Sequence, residues 1–256
     1  MKQLALVFSI GVLCLLAFAS LEALELTDDL VLAFSFEEGA GNTVKDLSQQ
    51  GNNGEIVGSP SWVDGKLGKA LHFDGATYVL APHIPFNERD LTVQLWIRPE
   101  MNTPEEVVFS QHELNAANLS LHFRVYSTSV IRFGFYSNDL DSPPTSLGKN
   151  EWHNLTFTLD GSDNTRKIYI DGQEIASDVS ASAYLGTTGD VRIGGWERPT
   201  KPENPFYQIY SGDIDEVRVW YRLLNEEEMI ESMDTEMPVE PLGKIATTWG
   251  EIKFDW

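Results

Sequence analysis

The stretch EWHNLTFTLDGSDNTRKIYIDGQEI, residues 151–175, alternates apolar and polar residues and is cut by short clusters of Gly, Asp and Asn. Every second residue from His153 to Leu159 falls on one face of an extended chain, because successive side chains of a strand point to opposite sides. Asp171-Gly172 is a dipeptide typical of a tight hairpin turn. The stretch therefore predicts antiparallel strands joined by short turns.

The same period of two continues on both sides of this stretch. Apolar residues alternate with polar or small residues over 32–36, 91–97, 119–125 and 131–135, and turn-forming residues separate these runs. Such a pattern is typical of antiparallel sheets with one face in the core and one face in water. Strands and helices do not alternate, which argues against an α/β fold. The predicted fold class is all-β, an antiparallel two-sheet β-sandwich.

One short helix is predicted near the C-terminus. Asn225 is a suitable N-cap, and Glu228 stands three residues later, which is the spacing of a capping box. Acidic residues fill the first turn, where the helix dipole favours them. Met229, Ile230 and Met233 form an apolar stripe at helical spacing. We expect this helix to lie on the sandwich.

Composition limits the classes of function. The chain has 256 residues with 39 acidic against 18 basic side chains, so its formal net charge is −21. A nucleic-acid-binding protein needs a basic surface, and so does a protein that docks on anionic lipid. No nucleic-acid partner is therefore predicted. The excess of carboxylates makes divalent cations plausible ligands.

The first residues resemble a secretory signal peptide. Lys2 is followed by an apolar or small run from Leu4 to Ala19, and 17–19 is a small-x-small cleavage signal. Residues 1–19 are therefore predicted to be removed, taking the single cysteine, Cys14, with them. The mature chain is then secreted, at the cell surface or in a periplasm, with no membrane insertion. An uncleaved anchor is the alternative.

Five stretches resemble laminin-G-like, concanavalin A-like jelly-roll domains. They cover residues 34–58, 65–82, 91–99, 151–175 and 211–229, in the order in which that family carries them. The resemblance implies a jelly-roll domain over 28–234, followed by a linker and tail over 235–256. Members of this family bind glycans, proteins or no known ligand, so the candidate partners that the resemblance implies are a glycan and an extracellular protein.

Two carboxylates are predicted to meet at one end of the sandwich. In GDIDEVRVW, residues 212–220, period two places Asp215 on the inward face with Val217 and Val219. Glu38 continues the inward face of Leu32, Phe34 and Phe36. The resemblance implies that the first and last strands are neighbours. Unpaired buried carboxylates are unfavourable, and a hard cation would stabilise them.

A structural Ca²⁺ is the cofactor that follows from this arrangement. The turn over 51–54 offers further oxygens, and the resemblance implies a calcium site in this place, with Glu38, Asn52 and Asp215 as the metal ligands. The alternative is that Asp215 accepts hydrogen bonds from backbone N–H groups while Glu38 is solvated.

The same strand differs from the catalytic strand of laminarinase-type jelly-roll glycoside hydrolases, which carries three carboxylates at alternate positions. Here the register gives Asp213, Asp215 and then Val217 or Arg218, so the third carboxylate is missing. A retaining mechanism needs two carboxyl groups in defined roles. No catalytic residue is therefore predicted. A divergent glycoside hydrolase or lyase of the same fold remains the alternative.

A long loop over 196–207 is the predicted recognition element. It is rich in Pro and aromatic residues, and loops at the ends of a sandwich commonly carry binding. Trp196, Asn204 and Tyr207 are the candidate ligand-binding residues, through ring stacking and hydroxyl recognition. Alternatively, Trp196 packs the loop onto the body. The turn over 139–144 is a second candidate.

The predicted function is a secreted, non-catalytic binding or adhesion module with carbohydrate as the candidate ligand. Besides the enzyme alternative, a structural cell-surface protein that associates through its tail stays open. Fold alone does not decide between these classes.

Overall fold

The computed structural model describes residues 25–112, 116–197, 206–207 and 209–237. The predicted signal peptide over 1–19, Asn204 and most of the tail over 235–256 lie outside the described residues. Within the described ranges, no helix is long and apolar enough to cross a membrane.

Eighteen strands and one helix make up the described chain. In chain order they are β1 (Leu30–Phe34), β2 (Thr43–Val44), β3 (Gly54–Val57), β4 (Ser61–Asp64), β5 (Lys69–Asp74), β6 (Tyr78–Ala81), β7 (Leu91–Pro99), β8 (Glu105–His112), β9 (Ser120–Tyr126), β10 (Ile131–Gly134), β11 (Asp139–Asp141), β12 (His153–Leu159), β13 (Thr165–Ile170), β14 (Gln173–Val179), β15 (Val191–Ile193), β16 (Trp196–Glu197), β17 (Phe206–Tyr207), β18 (Ser211–Trp220) and α1 (Glu226–Asp234).

The strands form two eight-stranded antiparallel sheets and one small hairpin. The first sheet has the order β14-β13-β12-β7-β18-β5-β4, with β1 also paired to β18. The second sheet has the order β11-β10-β9-β8-β15-β6-β3-β2, and β16 pairs with β17. The prediction of an all-β two-sheet sandwich with a short C-terminal helix is confirmed.

The closing strand β18 lies at the centre of the first sheet. It pairs with β7 along one side, while β5 and β1 share its other side at opposite ends. The first and last strands of the domain are therefore neighbours, as the resemblance implied.

Aromatic rings join the two sheets. Phe123 of the second sheet stacks on Phe157 of the first, with ring centroids 4.0 Å apart. Both side chains are fully buried in a core cluster that takes apolar residues from both sheets. The inward faces predicted for residues 91–97 and 155–159 both belong to this cluster.

The helix α1 covers the outer face of the first sheet. Its capping box forms as predicted: the Glu228 amide donates to Asn225 Oδ1 at 3.0 Å, and the Asn225 amide donates to Glu228 Oε2 at 2.8 Å. Met229 and Met233 are buried as predicted, but Ile230 is 50% exposed. The sheet face under the helix is buried, so the predicted wet face is absent there.

Candidate functional site

The outer face of the second sheet carries a continuous lateral row of residues. Neighbouring strands pair these positions directly, so the row crosses all eight strands from one edge to the other. The inward neighbours of the row, such as Ile56 and Phe123, lie in the core. In order, the members of the row are Thr43, Glu55, Leu80, Arg192, Ser110, His122, Gly134 and Asp139.

An open groove occupies the β2 end of this row. Its volume is about 600 Å³, and it is lined by residues 42–43, 53–55, 80–82 and Asp190. Leu80 and Pro82 supply an apolar surface, whereas Glu55 and Asp190 are exposed carboxylates. Within the described ranges, neither carboxylate has a hydrogen-bond or ion-pair partner. The groove therefore offers free acceptors beside a flat apolar surface.

The middle of the row lies beneath Trp196. The Trp196 ring lies 4.6 Å from the His112 ring and 4.9 Å from the His122 ring, measured between centroids. The Arg124 guanidinium carbon is 4.8 Å from the same ring centroid, within cation–π range. Ser110 Oγ donates to the Gly195 carbonyl at 2.7 Å, which ties this part of the chain to β8.

The structure corrects the role predicted for Trp196. Its side chain is 1% exposed, so its ring faces are not free to stack on a sugar. His112, His122 and Arg124 of β8 and β9 surround the ring. These residues lie more than 70 positions from Trp196 in the sequence, so a local pattern does not reveal the contact. The backbone of Tyr207 pairs with Trp196, but the Tyr207 side chain and Asn204 lie outside the described part of the molecule. Their predicted roles stay predictions.

His122 is a buried and neutral histidine. Its Nδ1 lies 3.0 Å from the Ser120 carbonyl, and a carbonyl only accepts, so Nδ1 carries the proton. Its Nε2 has no hydrogen-bond partner among the described residues and lies 3.6 Å from Asp139 Oδ1. Burial, followed by the positive charge of Arg124, lowers the pKa of His122 well below its ordinary value. The cluster under Trp196 therefore needs an uncharged imidazole.

Acid is expected to destabilise this cluster. The unfolded chain takes up a proton on His122 below about pH 6.5, while the folded chain resists it, so the free energy of unfolding falls as the pH falls below that value. The loss attributable to His122 is at most about 2 kcal/mol at pH 5, at about 1.4 kcal/mol per pH unit. Urea unfolding at pH 7.5 and pH 5 should show a smaller difference for His122→Phe than for the wild type. Equal differences would contradict this assignment.

Asp215 does not lie on the face predicted for it. The pairing of β18 with β7 shifts register between Asp215 and Arg218, and Glu216 adopts a φ of 49°. This bulge reverses the alternation, so Ile214 and Val217 both point into the core while Asp215 points outward. Asp215 is nevertheless fully buried beneath the residues that cover the first sheet.

The partners of Asp215 match the alternative considered above. Asp215 Oδ2 accepts hydrogen bonds from the Lys66 amide at 2.9 Å and the Leu67 amide at 3.0 Å. Oδ1 is buried and has no partner among the described residues. Burial raises the pKa of Asp215 to about 8, although the two amides act in the opposite direction.

The other two predicted metal ligands bind elsewhere. Glu38 lies beyond the end of β1, is exposed, and accepts from the Lys45 amide at 2.8 Å. Asn52 donates its side-chain amide to the Val31 carbonyl at 2.9 Å. The described residues contain no group of three or more His, Cys, Asp and Glu that could hold a metal ion. The three residues therefore do not fit a shared calcium site, and Asp215 Oδ1 is a buried acceptor without a partner among the described residues.

Asp213, the other carboxylate of the strand, is held in an ion cluster. His72 Nδ1 lies 2.8 Å from its Oδ1, and Arg98 Nε lies 2.6 Å from its Oδ2. With Asp213 paired in this way and Asp215 covered, this strand offers no accessible pair of carboxylates for acid–base chemistry.

Sequence reasoning missed the groove altogether. Glu55 lies between the inward residues Gly54 and Ile56, so alternation already placed it outside the core. However, alternation does not reveal that β3 neighbours β6, or that Asp190 lies beside them. Alternation shows which residues face outward, but the strand order, which decides which of these residues lie together, cannot be derived from it.

Two antiparallel sheets packed face to face place this chain in the general class of jelly-roll β-sandwich modules. The family model Laminin_G_3, described as the concanavalin A-like lectin/glucanases superfamily, matches residues 73–229, and the chain belongs to this family. A sequence search found no matching curated protein.

Several solved structures share the fold. Domain 4 of AbnA, a GH43 extracellular arabinanase from Geobacillus stearothermophilus, solved in complex with arabinotriose, has a TM-score of 0.61 and 20% identity over 80% of this chain and 98% of that one. The binding domain of Paraclostridial Mosquitocidal Protein 1 has a TM-score of 0.63 and 17% identity over 81% of this chain. The binding domain of botulinum neurotoxin serotype D/C has a TM-score of 0.61 and 13% identity over 81% of this chain. The match spans 52% of each toxin domain.

Proposed function

We propose that this chain is a non-catalytic module that binds an oligosaccharide in the groove on the outer face of its second sheet. The observation that carries the proposal is the combination of free exposed acceptors, Glu55 and Asp190, with the apolar surface of Leu80 and Pro82. A sugar ring presents hydroxyl groups at its edge and C–H groups on its face. The groove matches both parts.

The size of the groove suits such a ligand. Its volume of about 600 Å³ lies in the range of roughly 300–1,000 Å³ that is usual for small-molecule sites. Arg192, the next member of the row, is buried and Trp196 covers the middle of the row, so the groove holds a short stretch of a sugar chain at the β2 end of the sheet. The arabinotriose complex of the AbnA domain supports a glycan as the ligand of this module. The toxin neighbours are also binding domains, which supports a binding role over catalysis.

Conservative substitutions in the groove should abolish most of the binding. Glu55→Gln and Asp190→Asn each remove a charged acceptor, and hydrogen bonds to charged groups contribute about 1.5–3 kcal/mol. We expect each variant to bind the tightest ligand from a glycan array, one that includes arabino-oligosaccharides and ganglioside glycans, at least about tenfold more weakly.

Asp163→Asn is the matched control, because Asp163 is an exposed aspartate in the turn between β12 and β13. It should bind the glycan as the wild type does, and all three variants should keep the wild-type melting temperature. Undiminished binding by both groove variants, or no binding to any glycan on the array, would contradict the proposal.

Structural calcium and secretion remain predictions. The unused Oδ1 of Asp215 supports a cation at that carboxylate, whereas the separate partners of Glu38 and Asn52 argue against the predicted ligand set. The predicted signal peptide over 1–19 would place the module outside the cytoplasm, where glycan ligands are common.

A further inference from the structure

A second cavity, here called the rim cleft, opens at the side of the sandwich farthest from the groove. It has a volume of about 460 Å³ and lies between residues 143–146, which follow β11, and the β13–β14 hairpin. β11 and β14 are the outermost strands of their sheets on this side. The cleft is therefore bordered by two sheet edges.

Hydrogen bonds hold the outer wall of the rim cleft in place. The Ser142 amide donates to the Ile131 carbonyl at 2.9 Å, and the Thr145 amide donates to the Ser129 carbonyl at 2.9 Å. Ser129 Oγ donates to the Leu147 carbonyl at 3.1 Å. These bonds tie the wall to the turn between β9 and β10, so the cleft is formed before any ligand arrives.

The floor of the rim cleft is apolar. Ile170 belongs to the core, and Ile175 packs against it. In the β13–β14 ladder, Ile168 pairs with Ala176 and Tyr169 pairs with Glu174, so Ile175 is the extra residue of a bulge. Bulges often re-aim a side chain next to a binding site. Here the bulged residue lines the cleft, together with Pro143 and Pro144.

One carboxylate marks the mouth of the rim cleft. Asp171 accepts from the Asn154 amide at 2.8 Å, and its other oxygen lies 2.9 Å from His153 Nδ1. His153 Nε2 accepts from the Gly148 amide at 3.2 Å, so the proton of the imidazole lies on Nδ1 and the ring is neutral. The Asp171 side chain is 48% exposed. Among the described residues, no lysine, arginine or aromatic side chain lines the cleft, so no cationic side chain there offsets the charge of Asp171.

We propose that the rim cleft binds a lysine side chain of a partner polypeptide that pairs in extended form with β14. The lysine stem would pack on the isoleucines and prolines, since such stems commonly bury their methylene groups against apolar surface. Its ammonium group would meet Asp171. The apolar floor of the cleft matches the methylene groups of a lysine side chain, and the Asp171 carboxylate matches its ammonium group.

The edge of β14 points to a polypeptide rather than a free amine. β14 pairs with β13 on one side only, and no other described strand pairs with its free edge. Val179 on this strand is 69% exposed. A free strand edge offers backbone donors and acceptors to an added strand. The net charge of −21 favours a basic partner over an acidic one.

The test compares matched peptide probes by NMR titration of the ¹⁵N-labelled protein. The probes are acetyl-Thr-Val-Lys-Val-Thr-amide, the same peptide with norleucine in place of lysine, and N-acetyl-lysine-methylamide. We expect the lysine peptide to shift amides of β14 and Asp171, to bind at least about tenfold more tightly than the norleucine peptide, and to bind more tightly than the free lysine derivative.

Two variants and one control locate the contact. Asp171→Asn should reduce binding of the lysine peptide to the level of the norleucine peptide, and Ile175→Phe should reduce binding of both by filling the cleft. Glu227→Gln, which removes an exposed acidic charge on α1, should leave binding unchanged. The proposal is overturned if the two wild-type peptide affinities are equal, if the shifts lie elsewhere, or if no probe binds. A glycan that occupies the rim cleft instead of the peptide would also overturn it.

Discussion

Arg218→Met is expected to lower the free energy of unfolding by about 3–5 kcal/mol. The Arg218 side chain is 1% exposed and joins the centre of the first sheet to the C-terminal end of α1. Its guanidinium donates to the Ser232 carbonyl, to the Thr235 carbonyl, and to Glu216 Oε2 at 2.5 Å. Methionine fills similar space but leaves these acceptors buried and unpaired.

The size of this effect follows from Glu216, which is 4% exposed. Burial raises the pKa of Glu216, and the charge of Arg218 opposes that change. Without the arginine, the carboxylate must be buried alone or take up a proton. In addition, α1 has no basic residue in its last turn, so Arg218 is the cation that its C-terminal dipole favours.

Urea unfolding at pH 7 measures the loss. The double variant Arg218→Met with Glu216→Gln should recover part of the lost stability, because the buried and unpaired carboxylate of Glu216 is then removed as well. A loss below about 1 kcal/mol for the single variant would show that the guanidinium does not hold α1 to the sheet. Lys167→Met, at an exposed ion pair with Glu174, is the control and should change stability by less than about 1 kcal/mol.

Asp215→Asn is expected to stabilise the protein by about 2–4 kcal/mol more at pH 9 than at pH 5. The pKa of Asp215 is raised to about 8, above its ordinary value of about 3.9 in an unfolded chain. The folded chain therefore holds a proton that the unfolded chain releases, so stability falls as the pH rises from about 4 through about 8. Asparagine is neutral at every pH and avoids that loss.

Melting temperatures in chelator at both pH values test this expectation. The calcium prediction gives a different outcome in the presence of Ca²⁺: the wild type should gain stability, and Asp215→Asn should not. If chelator and Ca²⁺ leave the wild-type melting temperature equal, Asp215 acts alone as a buried acid. If the effect of Asp215→Asn in chelator is the same at pH 5 and pH 9, the raised pKa is wrong.

The fold was predictable because its signals are local. The alternation over residues 91–97 and 153–159 requires only neighbouring residues, and the capping box of α1 requires only Asn225 and Glu228. The antiparallel sandwich follows from such patterns without knowledge of which strands pair.

The errors arose where one residue changed the register or where distant segments met. The positive φ of Glu216 reverses the alternation of inward and outward side chains along β18. Because this residue is not a glycine, the sequence does not indicate a positive φ at this position. The burial of Trp196 depends on His112 and His122 of another part of the chain. The groove combines four separate segments. Each of these features is set by tertiary contacts, which period and composition do not encode.

The most direct measurement of the central claim is an NMR titration of the ¹⁵N-labelled protein with the glycan that binds most tightly on the array. We predict that the perturbed amides belong to residues 42–43, 53–55, 80–81 and Asp190, which line the groove, with smaller changes toward Arg192. Perturbations confined to the rim cleft or to the surroundings of Asp213, with the groove amides unmoved at saturation, would contradict the account.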